Sequence, residues 1–193
     1  FARMERPLIL KAEPDSRPVS EDLRRMLMEL AALTDKLTVE WTPPSDGPER
    51  PCVRVLRADG ADTGIAFHGV PGGHEFNSFV VGLYNAAGPG QSIDPALAEA
   101  IAAIDRPLDL QIVVALSCTM CPELVIAAQK IAASNPLVTA KVYDVNHFPE
   151  LRERYKIMSV PCLIINKAKV AFGKKTLGQL LELLAEPESG QTG

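Results

Sequence analysis

The stretch Leu110-Gln111-Ile112-Val113-Val114-Ala115-Leu116-Ser117-Cys118-Thr119-Met120-Cys121-Pro122 decides how this chain is read. A short apolar run ends at a polar break, and two cysteines spaced C-x-x-C follow at once. Helical spacing of apolar residues then continues to about Ala133, so the pattern predicts a strand near Leu110 to Ala115 and a helix from about Thr119. Cys118 would stand at the helix N-terminus, where unpaired N–H groups and the helix dipole stabilise a thiolate. Cys121, one turn further in, would be the shielded thiol that resolves a mixed disulfide. Pro122 sits early enough in the helix that its missing N–H costs little. Half a zinc site is the competing reading. It needs two more ligands, and Cys52, Cys162, His68, His74 and His147 offer no matching pair.

Outward from this motif, the chain repeats itself. A shift of 101 residues lays Leu8-Ile9-Leu10-Lys11-Ala12 on Asp109-Leu110-Gln111-Ile112-Val113, and Leu37 to Trp41 on Val138 to Val142. After an insertion in the second copy, Arg50-Pro51-Cys52-Val53 matches Val160-Pro161-Cys162-Leu163. In each copy a strand, a helix and a strand precede two strands and a helix, and Asp94-Pro95 starts a connecting helix. The order β-α-β, then β-β-α, is the thioredoxin topology. The predicted class is therefore α/β, with two tandem thioredoxin-like folds whose mixed sheets are flanked by helices and which pack through edge strands or helices. The expected units are residues 1–92, without a C-x-x-C, residues 93–186, with one, and a polar tail or linker over 187–193. Under the repeat, Cys118 falls on Arg17 and Cys121 on Ser20, so the first copy cannot exchange dithiols.

Composition narrows the function. With 47% apolar and 23% charged residues the chain is globular, and its net charge of −4 argues against a nucleic-acid surface. The longest nearly uncharged run, Leu108 to Ile131, contains Asp109, Glu123 and Lys130, so no span crosses a bilayer. The absence of an N-terminal signal pattern predicts a cytoplasmic protein, and a start at Phe1 rather than Met suggests a fragment. Four cysteines are too few for a disulfide scaffold.

Two further segments bear on the motif. Val160-Pro161, about forty residues after the cysteines and just before a strand, stands where thioredoxin-like folds place a cis-proline beside the disulfide. Cys162 follows it and reads as a buried core thiol, with a third redox thiol as the alternative. Cys52, its counterpart in the first copy, reads as a core residue. Gly69-Val70-Pro71-Gly72-Gly73-His74-Glu75-Phe76 reads as a tight turn into a helix, with Glu75 an acid that complements the dipole.

Together these residues resemble the N-terminal domain of the alkyl hydroperoxide reductase flavoprotein subunit. The resemblance runs from about Arg6 to Glu186, through Asp15-Ser16, Leu33-Thr34-Asp35-Lys36, Gly72 to Phe76, Leu116-Ser117-Cys118, Cys121-Pro122, Asn135-Pro136, Met158 to Pro161 and Thr176-Leu177. It implies a redox-active Cys118–Cys121 disulfide supported by Thr119, Met120, Pro122 and Pro161. It also implies that Glu75 approaches the redox pair across the cleft between the folds, to oppose thiolate formation at Cys118 or to shuttle a proton. The implied partners are a peroxiredoxin, as electron acceptor, and a flavoprotein reductase module, fused or separate. FAD and NAD(P)H belong to that module, and no cofactor or metal is expected in this chain. A homodimer is a further expectation. The chain departs from the family pattern in lacking a strand followed by G-x-G-x-x-G and in carrying Cys162 beside the proline. The alternative is a general protein disulfide oxidoreductase, a related group that also fuses two thioredoxin folds. Arg17 and Ser20 in place of a first redox pair favour the former.

Overall fold

The computed structural model describes residues 1–187, so the tail expected over 187–193 lies, apart from Pro187, outside the described residues. The first copy forms β1 (Leu8–Glu13), α1 (Val19–Ala31), β2 (Leu37–Trp41), β3 (Cys52–Arg57), β4 (Asp62–His68) and α2 (Glu75–Ala87). A connecting helix α3 (Pro95–Ala102) begins with Asp94 accepting from the Ala96 N–H at 2.9 Å and with Pro95 in its first turn. The second copy forms β5 (Leu108–Val114), α4 (Cys121–Ser134), β6 (Val138–Asp144), α5 (Glu150–Arg154), β7 (Cys162–Ile165), β8 (Lys169–Phe172) and α6 (Leu177–Ala185). Thr176 and Gln179 close a reciprocal capping box at the start of α6.

The sequence predicts mixed sheets flanked by helices, and the structure joins them into one. All eight strands form a single sheet in the order β2-β1-β3-β4-β6-β5-β7-β8. The seam is a parallel pairing of β4 with β6, from Ile65 opposite Ala140 to His68 opposite Tyr143. Each copy alone would leave one of these strands as an open edge, and pairing them satisfies both rows of backbone groups. Gly64 makes the approach possible: at φ +84° it lies so close to β6 that a Cβ would stand 2.6 Å from the Val138 carbonyl oxygen.

The repeat needs one correction in its register. Leu10 pairs with Val55, and Leu110 pairs with Ile165. Strands β1 and β5 therefore correspond at a shift of 100 residues, so Leu8 matches Leu108 rather than Asp109, while β2 and β6 keep the 101-residue shift, Leu37 lying beside Leu8 and Val138 beside Leu108. Side chains alternate along a strand, and the 101-residue shift would set Asp109 where Leu8 is buried. The helices keep the 101-residue shift: Ser20, Leu23, Leu27 and Leu30 are buried in α1, as are Cys121, Leu124, Ala128 and Ile131 in α4. The second copy's extra residue lies in the turn between β5 and α4, which carries Cys118.

One core spans both copies on one face of the sheet. It joins Leu10, Phe67, Phe79 and Leu83 to Ile112, Leu124, Ile131 and Leu180. Helix α2 of the first copy lies along α4 of the second, and Gln129 Nε2 donates to the Ser78 carbonyl at 2.8 Å. A smaller cluster on the opposite face contains Val113, Tyr143, Phe148, Cys162 and Ile164.

Candidate active site

Cys118 and Cys121 are joined by a disulfide at the start of α4. Cys121 is the first helical residue and is completely buried, while Cys118 is half-buried. The helix starts two residues later than expected. The Cys118 N–H donates to the Ala115 oxygen at 3.0 Å, so the chain is still turning there. Pro122 occupies the first helical turn, where no N–H is needed. The sulfur of Cys118 is brought to the helix end by its bond to Cys121. Val160–Pro161 is a cis peptide, and the Cys118 Sγ lies 3.9 Å from the Val160 oxygen. Exposed apolar side chains accompany this mouth: Met120 between the cysteines, Met158 just before the cis-proline segment, and Phe76 at the start of α2. Thr119 is also exposed, and Pro161 is buried.

The first copy reaches this site through the glycine-rich segment. Gly73 adopts φ +53°, and a Cβ there would stand 2.6 Å from the Leu116 carbonyl oxygen. That oxygen accepts from the His74 N–H at 2.9 Å. What the sequence presents as a tight turn is thus a contact that sets the start of α2 against the residue two before Cys118. Gly73→Ala combines an unfavourable φ with a backbone clash, and should cost roughly 1–3 kcal/mol in chemical denaturation. A cost within error of zero would contradict the close approach.

Glu75 opens α2 and is completely buried. Its Oε2 shares a hydrogen bond with Ser78 Oγ, and its Oε1 has no protein partner. Burial pushes the carboxyl up to about 7, against which the Ser78 hydrogen bond pulls down. The sequence reading of Glu75 as an acid complementing the dipole leaves out this burial.

Cys162 is not brought to the redox pair. It faces the smaller cluster, while its neighbour Leu163 faces the core shared with Cys121. That alternation could have been counted from the strand pattern alone. Burial raises its thiol to about 11. Cys52 is likewise buried, donates to Glu13 Oε2 at 3.4 Å and is pushed up to about 12 by burial and by the Glu13 charge. Both thiols should resist iodoacetamide at neutral pH in the folded, oxidised protein and label fully once it is unfolded. Rapid labelling of either in the native state would contradict this burial.

Arg17, which the sequence shows only as a lost cysteine, has a position of its own. Its guanidinium pairs with Asp15 at 2.6 Å and donates to the His147 oxygen and to the Arg50 oxygen, both at 2.7 Å. Arg50 precedes a second cis-proline, Pro51, as Val160 precedes Pro161. Arg17 thus occupies in the first copy the carbonyl that faces Cys118 in the second, and it ties the second copy to the first. Asp15 lies below the ordinary carboxylate range: burial alone would raise it, and hydrogen bonds from Ser20 and Arg17 outweigh burial. The Asp15-x-Arg17 spacing was the available signal.

Among the described residues, no group of three or more His, Cys, Asp or Glu could hold a metal ion, and no helix is long and apolar enough to cross a membrane.

A tandem thioredoxin-like fold with one C-x-x-C disulfide beside a cis-proline defines the class as a thioredoxin-like thiol–disulfide oxidoreductase. Residues 108–185 match the thioredoxin domain family model. The chain is 37% identical to the NTD_N/C domain of alkylhydroperoxide reductase AhpF from Enterococcus faecalis, with a TM-score of 0.90, over 96% of this chain and 94% of that one. It therefore belongs to the family of the N-terminal domain of the alkyl hydroperoxide reductase AhpF. The corresponding AhpF protein of Pseudomonas aeruginosa is 32% identical over 97% of this chain and 35% of its own length. The chain spans about a third of the length of the curated relatives it matches. A protein disulfide oxidoreductase from Aeropyrum pernix shares the fold, with a TM-score of 0.81 and 20% identity over 94% of this chain and 86% of that one.

Proposed function

We propose that this chain is a dithiol–disulfide carrier that takes electrons from a flavoprotein reductase module and delivers them to the disulfide of a peroxiredoxin. The observation that carries this reading is the asymmetry of the two copies. One holds a disulfide whose outer sulfur is accessible beside a cis-proline, and the other has its equivalent carbonyl sealed by Arg17.

In the reduced state, the Cys118 thiolate attacks one sulfur of the peroxiredoxin disulfide. A mixed disulfide forms and a peroxiredoxin thiolate leaves. Cys121 then attacks the Cys118 sulfur, the mixed bond breaks, and the second peroxiredoxin thiolate leaves. Two electrons pass to the partner, whose two thiolates then take protons from the solvent. Glu75 takes the proton that Cys121 gives up, and its position at the start of α2, along α4, supports that role. Thr119, Met120, Pro122 and Pro161 shape the mouth, and the exposed Met120, Met158 and Phe76 give a partner apolar surface to cover. FAD and NAD(P)H act in the reductase module, fused or separate. A cytoplasmic setting, where thiols are kept reduced, suits this cycle.

The test is to follow reduced chain with an oxidised peroxiredoxin and, in parallel, with insulin. Fast reduction of the peroxiredoxin and slow reduction of insulin is the expected result. The reverse order would make the chain a general protein disulfide oxidoreductase.

A further inference from the structure

Glu75 and Ser78 meet in the first turn of α2, and both are completely buried. Ser78 Oγ lies 3.0 Å from the main-chain oxygen of Glu75 and also shares a hydrogen bond with its Oε2. A hydroxyl has one hydrogen to give. If that hydrogen goes to the main-chain oxygen, the carboxyl must supply the one between Oε2 and Oγ, so Glu75 is protonated. If the carboxyl is ionised, Ser78 must turn its hydrogen to the carboxylate, and the main-chain oxygen loses it. Oε1 has no partner to help in either arrangement.

Little else can answer the charge. Helix α4 brings Cys121, buried, and Glu123, exposed. The turn after β5 brings Cys118, and the start of α2 brings His74, exposed. The strands beneath α2 contribute apolar Val53, Ile65 and Phe67 to the same core. The Ser78 carbonyl is held by Gln129 of α4, so the serine is fixed relative to the helix that Cys121 opens.

We propose that Ser78 is a positioning residue: the partner chosen by its one hydroxyl hydrogen decides whether the buried Glu75 carboxyl holds or releases a proton. Its part in dithiol exchange rests on Glu75 being the acid that serves Cys118 and Cys121. When two electrons reduce the disulfide to a Cys118 thiolate and a Cys121 thiol, one proton is consumed. Glu75 gives that proton to the Cys121 sulfur and becomes a carboxylate, and the Ser78 hydrogen turns to it. Oxidation reverses both moves.

The experiment follows the Glu75 side-chain carboxyl by carbon-13 NMR against pH in the full chain, alongside Ser78→Ala and Ser78→Thr. Loss of a hydrogen bond to a charged group should raise the Glu75 midpoint by about one pH unit in Ser78→Ala. Ser78→Thr, which keeps the hydroxyl, should leave it in place. In the unaltered protein, the Ser78 Cβ resonance should move with the same midpoint as Glu75, a readout that needs no variant to fold. A Glu75 midpoint unchanged in folded Ser78→Ala, or a Ser78 resonance that stays still while Glu75 titrates, overturns the proposal. Alkylation of Cys118 against pH in the same reduced proteins separates the two readings. A Cys118 profile that follows Glu75 supports both. A Glu75 midpoint that rises while the Cys118 profile stays fixed upholds the role of Ser78 and removes Glu75 from the redox reading.

Discussion

Cys121→Ser should trap a partner that Cys118→Ser does not. Both variants should lose electron transfer to background, because two-electron exchange needs both sulfurs, but they should fail at different points. Cys118 is half-buried with its sulfur at the mouth, and Cys121 is completely buried behind it. With Cys121 removed, Cys118 can still attack a partner disulfide, and nothing releases the mixed bond. With Cys118 removed, the remaining thiol has no access to a partner. A non-reducing gel with oxidised peroxiredoxin, followed by mass spectrometry of the adduct, reads the difference. Equal trapping by the two variants would overturn the division into attacking and resolving thiols.

The second large effect is a pH-dependent gain in stability on replacing Glu75. Burial raises this carboxyl from 4.5 to about 7 in the folded protein. Between those values the folded state binds more protons than the unfolded state, so stability falls as pH rises. The cost is absent below about 4.5, grows through the window and is fully present above 7. At roughly 1.36 kcal/mol per unit it reaches about 3 kcal/mol. Glu75→Gln carries no charge, and its amide can still hydrogen-bond Ser78. The oxidised variant should therefore match the parent near pH 4.5 and exceed it by about 3 kcal/mol at pH 8. For a chain of this size that is a rise in Tm of roughly 6–12 °C. Parallel Tm curves across this range would show that Glu75 titrates normally, and would remove the burial penalty from the account.

The order of strands and helices, the duplication and the single redox motif are legible in the chain because each is written in residues close together. Apolar periodicity over Leu110 to Ala115 and along α4 makes strand and helix locally, and Asp94-Pro95 starts α3 without help from elsewhere. The loss of the first redox pair, with Arg17 and Ser20 in its place, is a plain fact of residue identity. The direction of Cys162 was also present in the alternation of β7.

What the chain could not show depends on residues far apart in sequence. The two sheets become one because β4 and β6 each have an unpaired edge, and only the folded copies bring Ile65 beside Ala140. Gly73 reads only as part of a tight turn and Gly64 carries no signal of its own, yet their missing Cβ atoms are needed against Val138 and Leu116 of the other copy. By spacing alone Glu75 reads as an acid at a helix start, and only the family resemblance turns it towards the redox pair. It becomes a buried group whose carboxyl is pushed upward because α4 packs along α2, and Ser78 matters only as its buried neighbour. Local propensities and residue identities determined the elements and the redox pair. Contact between the copies, which buries Glu75 and sets Leu116 against Gly73, decided how the turn that carries Cys118 is held.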